Sequence, residues 1–274
     1  MGSMGMISET GFGWLTPVLS YLMACVGGAL GLRATLHAVR AAEHRSRRNW
    51  LISAAVAIGT GIWTMHFIAM LGFTVVGSQV RYSVLPTLAS LLVAILVVGV
   101  GVFVVARGNG RPGPLCVGGL ATGLGVAAMH YIGMSAVRID GVIHYAPWEV
   151  GASIVIATVA ATAALWASLT IHNPLATLAA SLVMGVAVSA MHYTGMAAVH
   201  VNVNTGGPPP SGATAMDFIF PLTVGLGSYL FLTAAYVGLS DSGRSDAATV
   251  SSTAATAATS AKVAHRTLVE GPGR

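Results

Sequence analysis

Three histidines stand in matching surroundings: Thr-Met-His-Phe-Ile-Ala-Met around His66, Ala-Met-His-Tyr-Ile-Gly-Met around His130, and Ala-Met-His-Tyr-Thr-Gly-Met around His192. Each has a methionine before it (Met65, Met129, Met191), an aromatic after it (Phe67, Tyr131, Tyr193) and a methionine four residues on (Met70, Met134, Met196). Seven residues earlier stands a glycine in every case, Gly59, Gly123 and Gly185. With 12 Met and 9 His in 274 residues, chance supplies less than one Met-His pair. One intramembrane histidine is commonly a hydrogen-bonded interior residue, and methionine is an ordinary filler of apolar cores. Packing accounts for the repeated glycines but gives no reason to repeat His and Met.

Metal coordination does give a reason. Imidazole suits several transition metals, whereas the soft thioether favours copper, above all Cu(I). Zinc more often recruits a thiolate or carboxylate, and no Cys, Asp or Glu accompanies the motifs. Copper is therefore the predicted metal. Haem held by His and Met is the weaker alternative, because three equivalent histidines exceed the two axial positions of one haem.

The elements that must position these residues are membrane helices. The chain is 55% hydrophobic and 8% charged, against roughly a quarter charged in soluble domains. Apolar runs of about 20 residues, enough to cross a bilayer, occur near 14–32, 50–73, 85–106, 115–137, 150–171, 175–199 and 218–239. The predicted fold is thus all-α and polytopic, with seven transmembrane helices built on a repeated two-helix unit. His66, His130 and His192 are 64 and 62 residues apart, so the motif helices 2, 4 and 6 run the same way. An outside N-terminus leaves only Arg81 and Arg138 outside and the other eleven of 13 Lys and Arg inside, a clear positive-inside bias. The motifs then lie at the outer ends of their helices, some 16 to 18 residues up, roughly 25 Å at 1.5 Å per residue. On a helix the i−7 and i+4 positions fall near the face of residue i. One face therefore reads Gly, His, Met, with the glycines allowing close helix packing and the i−1 methionines on a flank.

Residues 1–240 are predicted to form the membrane domain, and 241–274, rich in Ser, Ala and Thr, a polar, disordered cytoplasmic tail. Asn173-Pro174 marks the turn between helices 5 and 6. Cys25 and Cys116 sit in or beside apolar runs and offer no disulfide framework. The net charge of +5 is explained by topology, which excludes nucleic acid as the expected partner. His200, eight residues after His192 and on nearly the same helical face, is a secondary metal candidate, completing an entry stripe of His192, Met196 and His200. His144 falls in an outer connector with Tyr145 and Trp148 as interface anchors, whereas His37, His44 and His172 belong to the cytoplasmic interface. No Ser-His-Asp or paired-carboxylate arrangement points to catalysis. Glycine-rich stretches such as Gly-Gly-Leu-Ala-Thr-Gly-Leu-Gly in span 4 lack the strand context of a nucleotide loop.

Three Met-His-Tyr-like motifs at outer ends of alternate helices in a seven-helix unit resemble the bacterial MHYT domain, over about residues 12–240. The first motif departs from the pattern with Phe67 for Tyr, and only the third is a literal Met-His-Tyr-Thr. The resemblance implies a sensor in the bacterial cytoplasmic membrane that binds copper through His and Met and detects a diatomic gas, O2, CO or NO; redox state is the other signal expected of such a His and Met site. Many relatives carry a cytoplasmic signalling domain, which here leaves the signal to a separate signalling or copper-handling partner. Copper transport or delivery is the alternative function, and a membrane copper oxidase ranks third.

Overall fold

The computed structural model describes residues 3–8, 11–108, 111–171, 173–204 and 209–235. Seven helices in it are long and apolar enough to span a membrane: α1 (Leu15–Arg40), α2 (His44–Leu71), α3 (Val84–Arg107), α4 (Pro112–Ser135), α5 (Pro147–Thr170), α6 (Pro174–Ala197) and α7 (Ala215–Ala235). Proline opens α4, α5 and α6, where its missing N–H costs nothing because the first-turn donors have no helical acceptor. Asn173 also caps α6, its side chain accepting from the Leu175 N–H at 2.9 Å. The turn expected at Asn173-Pro174 is there, while His172 lies outside the described residues, as does the tail of 241–274.

Met1–Leu230 forms one compact unit. Within it α1 to α6 close into a ring, each helix against the next and α6 against α1, and the three even-numbered helices also meet across the middle. Close approach is clearest between α1 and α2. A Cβ on Gly27 would stand 2.7 Å from the Gly61 Cα, and one on Gly61 would stand 2.7 Å from the Gly27 Cα. Only hydrogen fits there, so the two backbones touch. Large apolar side chains such as Leu92, Leu96 and Val159 are left exposed, the distribution of a protein whose solvent is lipid rather than water.

Two features differ from the sequence reading. The first two spans extend well past their apolar runs: α1 continues through Arg33 to Arg40, and α2 begins at His44 and includes Arg45, Arg47 and Arg48. Arginine is a good helix former whose long stem reaches away from hydrocarbon. Charge therefore ends the apolar run without ending the helix. Arg47 uses this reach to donate to the Ala106 carbonyl at 2.5 Å, near the end of α3.

The second difference is a cap of short strands over the motif end of the ring. These are β1 (Ser3–Gly5), β2 (Ile7–Ser8), β3 (Thr74–Val75), β4 (Arg81–Tyr82), β5 (Val137–Arg138), β6 (Gly141–Tyr145), β7 (Val199–Val203) and β8 (Ala213–Thr214). They pair as β1-β7-β6, β2-β3 and β5-β4-β8, tying the three connectors that follow α2, α4 and α6 to one another and to the N-terminal segment. β7 shows the period-2 alternation of a half-buried strand: Val199, Val201 and Val203 are buried, His200 and Asn202 exposed. Such five-residue patterns are hidden in a sequence dominated by helical runs. Tyr82 is fully buried in the cap and donates to the Met70 carbonyl at the end of α2, at 3.1 Å. Burial pushes its phenol well above the usual range, so it stays a neutral donor.

Candidate metal centre

α2, α4 and α6 each bring one histidine to the middle of the ring, under the strand cap. His66, His130 and His192 are at most 1% exposed, and their ring centroids are 4.9, 5.0 and 5.2 Å apart with planes crossing at 75°, 77° and 82°. The three imidazoles form a propeller. Their Nδ1 atoms point inward: His66 Nδ1 is 3.0 Å from His192 Nδ1 and 3.2 Å from His130 Nδ1.

Protons alone cannot satisfy this arrangement. Each Nδ1 of a neutral imidazole carries either a proton or a lone pair. Among three facing atoms at least two are therefore alike, and that pair cannot hydrogen-bond. A cation accepts lone pairs from all three at once. Three nitrogens about 2 Å from one ion lie roughly 3.3 to 3.5 Å apart, close to the spacing present here. Burial adds a second argument, because lone pairs that face one another away from solvent are costly. The three buried histidines can hold a metal ion.

The opposite ring nitrogens explain part of the fit. His66 Nε2 and His130 Nε2 are buried without a hydrogen-bond partner, each pressed against the backbone of the next motif helix. A Cβ on Gly133 would stand 2.6 Å from His66 Nε2, and one on Gly195 would stand 2.5 Å from His130 Nε2. These two glycines were not singled out from the sequence. The signal was present, because both stand three residues after a motif histidine, where the first motif has Ala69. The glycines that were singled out pack elsewhere. Gly59 lies against Ile95 of α3, Gly123 against Thr158 of α5, and Gly185 against Cys25 and Tyr21 of α1. They set the spacing between each motif helix and an odd-numbered neighbour.

The aromatic after each histidine meets that histidine edge-on, with centroids 4.7 Å apart for Phe67 and 4.9 Å for both Tyr131 and Tyr193. Around the first motif Trp63 packs on Phe67 with centroids 4.5 Å apart and planes tilted by 38°, and it donates to Ser90 Oγ at 2.9 Å. Around the second, the Tyr131 hydroxyl bonds Ser153 Oγ at 2.8 Å, and its ring lies 5.7 Å from Tyr145. Burial, with Tyr131 beside it, raises the Tyr145 phenol.

All six motif methionines are at most 1% exposed. Met191 lines a cavity inward of the histidines, and Met134 lines a cleft toward the cap that also includes Tyr131 and Tyr145; Met65, Met70, Met129 and Met196 lie in the core. The helical stripe from His192 to His200 does not exist, because α6 ends at Ala197 and His200 belongs to β7. There its Nδ1 is 3.1 Å from the Ala198 carbonyl, and it stands opposite His144 of β6. Strand pairing with the connector after α4 took the residue that helical counting placed beside His192.

The model of a family described as the bacterial signalling protein N-terminal repeat, MHYT, matches residues 59–118 and 123–181. The two matches begin at Gly59 and Gly123, the glycines seven residues before His66 and His130. The chain belongs to the MHYT family. Relatives include the bifunctional diguanylate cyclase/cyclic di-GMP phosphodiesterase MucR of Pseudomonas aeruginosa, 41% identical over 58% of this chain and 24% of its own. The cyclic di-GMP phosphodiesterase NbdA of the same species is 34% identical over 72% of this chain and 26% of its own. The signalling protein YkoW of Bacillus subtilis is 31% identical over 76% and 26%. The chain thus spans about a quarter of the length of these curated relatives. No solved structure matches it. As an MHYT domain it is a seven-helix integral membrane unit of the kind found in signalling proteins.

Proposed function

We propose that this MHYT domain is a membrane sensor that holds one copper ion on His66, His130 and His192 and responds to a diatomic gas. The observation that carries the reading is the convergence of three buried Nδ1 atoms, each delivered by a different helix. Met70, Met134 and Met196 are the proposed soft ligands or near neighbours, with Met65, Met129 and Met191 behind them. When bound, Cu(I) supplies a coordination position that can take O2, CO or NO. The chain's own part is to exclude water, aim the three imidazoles and link their spacing to the positions of α2, α4 and α6. Those helices run to the opposite membrane face, so a change among the imidazoles reaches a partner there. The cyclic di-GMP activities of the relatives MucR and NbdA make cyclic di-GMP signalling the proposed output.

Transport of copper inward is the second reading. A residue one turn below each histidine would have to offer a ligand, and those residues are Ile62, Val126 and Val188. That lining supports sensing over transport. Copper analysis of gently purified protein tests the assignment, with an expected content of about one ion per chain and a carbon monoxide adduct in the reduced protein. Protein without copper would overturn it; copper without a carbon monoxide adduct would favour metal handling.

The proposed orientation, N-terminus outside and C-terminus cytoplasmic in the bacterial plasma membrane, rests on the charge asymmetry. Single cysteines near Arg81 and in 241–274, in a background lacking Cys25 and Cys116, are expected to react with an impermeant reagent from outside only at the first position. Labelling of the tail in intact cells would reverse the orientation.

A further inference from the structure

Directly inward of the three histidines lies a cavity of about 50 Å³. Its walls repeat the threefold arrangement of the motif helices. Ile62, Val126 and Val188 stand one turn below the histidines, about 6 Å along each axis, and Ile58, Thr122 and Met184 stand one turn deeper. All six ring helices contribute. The space exists because α5 presents alanine at 157, 160, 161 and 164, one helical face, where α3 presents Val98 and Val102.

Interiors pack with few voids larger than a water molecule, and an empty one forfeits dispersion contacts on every wall. This void exceeds the roughly 10 to 15 Å³ that one water needs and falls well short of the roughly 150 Å³ of an apolar cavity that takes benzene. Water gains little there, since it needs two to four polar partners. Three hydroxyl residues interrupt the apolar lining, Thr35, Thr122 and Ser168: Thr35 and Ser168 donate to the Gly31 and Leu165 carbonyls of their own helices, and the Thr122 Oγ1 sits against Gly101 of α3. A small space lined almost wholly by apolar atoms is the complement of a small, uncharged solute.

We propose that this cavity is a binding site for one small uncharged molecule of diatomic or xenon size, held one helical turn from the imidazole cluster. Binding follows from shape and apolarity alone. Its purpose, keeping such a solute beside the histidine centre, rests on the sensor reading above.

Xenon is the probe. In the purified full chain, xenon under pressure is expected to give one saturable site, seen by xenon magnetic resonance or by anomalous scattering. Ala161→Leu fills the space from α5, and Val126→Leu fills it from α4. Both should weaken xenon binding at least tenfold while the three histidines and copper content stay as in the parent. Two walls are tested so that a folding defect in one variant leaves the other decisive. No saturable xenon site in the parent, or undiminished binding in a folded variant, overturns the proposal. Copper content separates the two ideas. Xenon binding in a protein that takes no copper supports the cavity and refutes the metal assignment, and copper without xenon does the reverse.

Discussion

Alanine at His66, His130 or His192 is expected to lower copper content by more than tenfold in each case while the seven-helix unit still folds. Each substitution removes one of three nitrogens that converge from three helices, and two imidazoles cannot close the triangle. Even supporting residues around a metal typically cost 10- to 100-fold when lost. Folding should survive because the apo cluster stabilises little: two of its Nε2 atoms are buried without partners. Met70→Leu, Met134→Leu and Met196→Leu nearly conserve volume and remove a soft donor, so they should weaken Cu(I) more than Cu(II). Met65→Leu, Met129→Leu and Met191→Leu should do less, and Tyr131→Phe and Tyr193→Phe should retain the metal, since position 67 is already Phe. Copper content measured across this series, with circular dichroism as the folding control, checks the assignment. Parental copper in all three histidine variants would refute it.

Alanine at Gly133 or Gly195 is expected to do nearly as much damage by adding one carbon. The new methyl would fall 2.6 Å from His66 Nε2 or 2.5 Å from His130 Nε2, well inside van der Waals contact. The ring at that end is part of a stiff cluster between helices, so the imidazole must turn or the helices must part. Overpacking of this kind costs typically 1 to 3 kcal/mol, and a turned ring moves its Nδ1 out of the triangle. Each variant should therefore show both a lower unfolding temperature and a loss of copper of tenfold or more. Gly113→Ala serves as the control, because a Cβ there meets nothing within 4 Å. A Gly133→Ala protein with parental copper and stability would show that the ring adjusts freely, and that the glycines do not shape the centre.

Much of this architecture was legible from residue order. Seven apolar runs separated by arginines and turn residues prescribe seven helices, because within lipid only a helix satisfies its own backbone along a single segment. The repeat of Met-His-aromatic at 64 and 62 residues prescribes three parallel copies at one depth. Helix ends were less legible: Arg33 through Arg40, and His44 through Arg48, lie in helices though they lie outside the apolar runs, since membrane thickness limits apolarity but not helix length.

What the sequence determined by itself was the set of helices, their common direction and the residue types available for coordination, because period, length and composition are properties of one segment at a time. Which residues meet was decided only by the tertiary structure. The three Nδ1 atoms face one another because the ring closes α6 against α1, a contact between segments more than a hundred residues apart. Gly133 and Gly195 became the seats of neighbouring imidazoles, and Gly59, Gly123 and Gly185 the contacts to odd-numbered helices, through the rotation of each helix about its own axis. His200 left the helix for β7 because its partner strand lies after a different helix. The cavity under the histidines arises from alanines of α5 opposed to residues of five other helices. Such spaces belong to no single segment, since a void is the difference between volumes that only packing brings together.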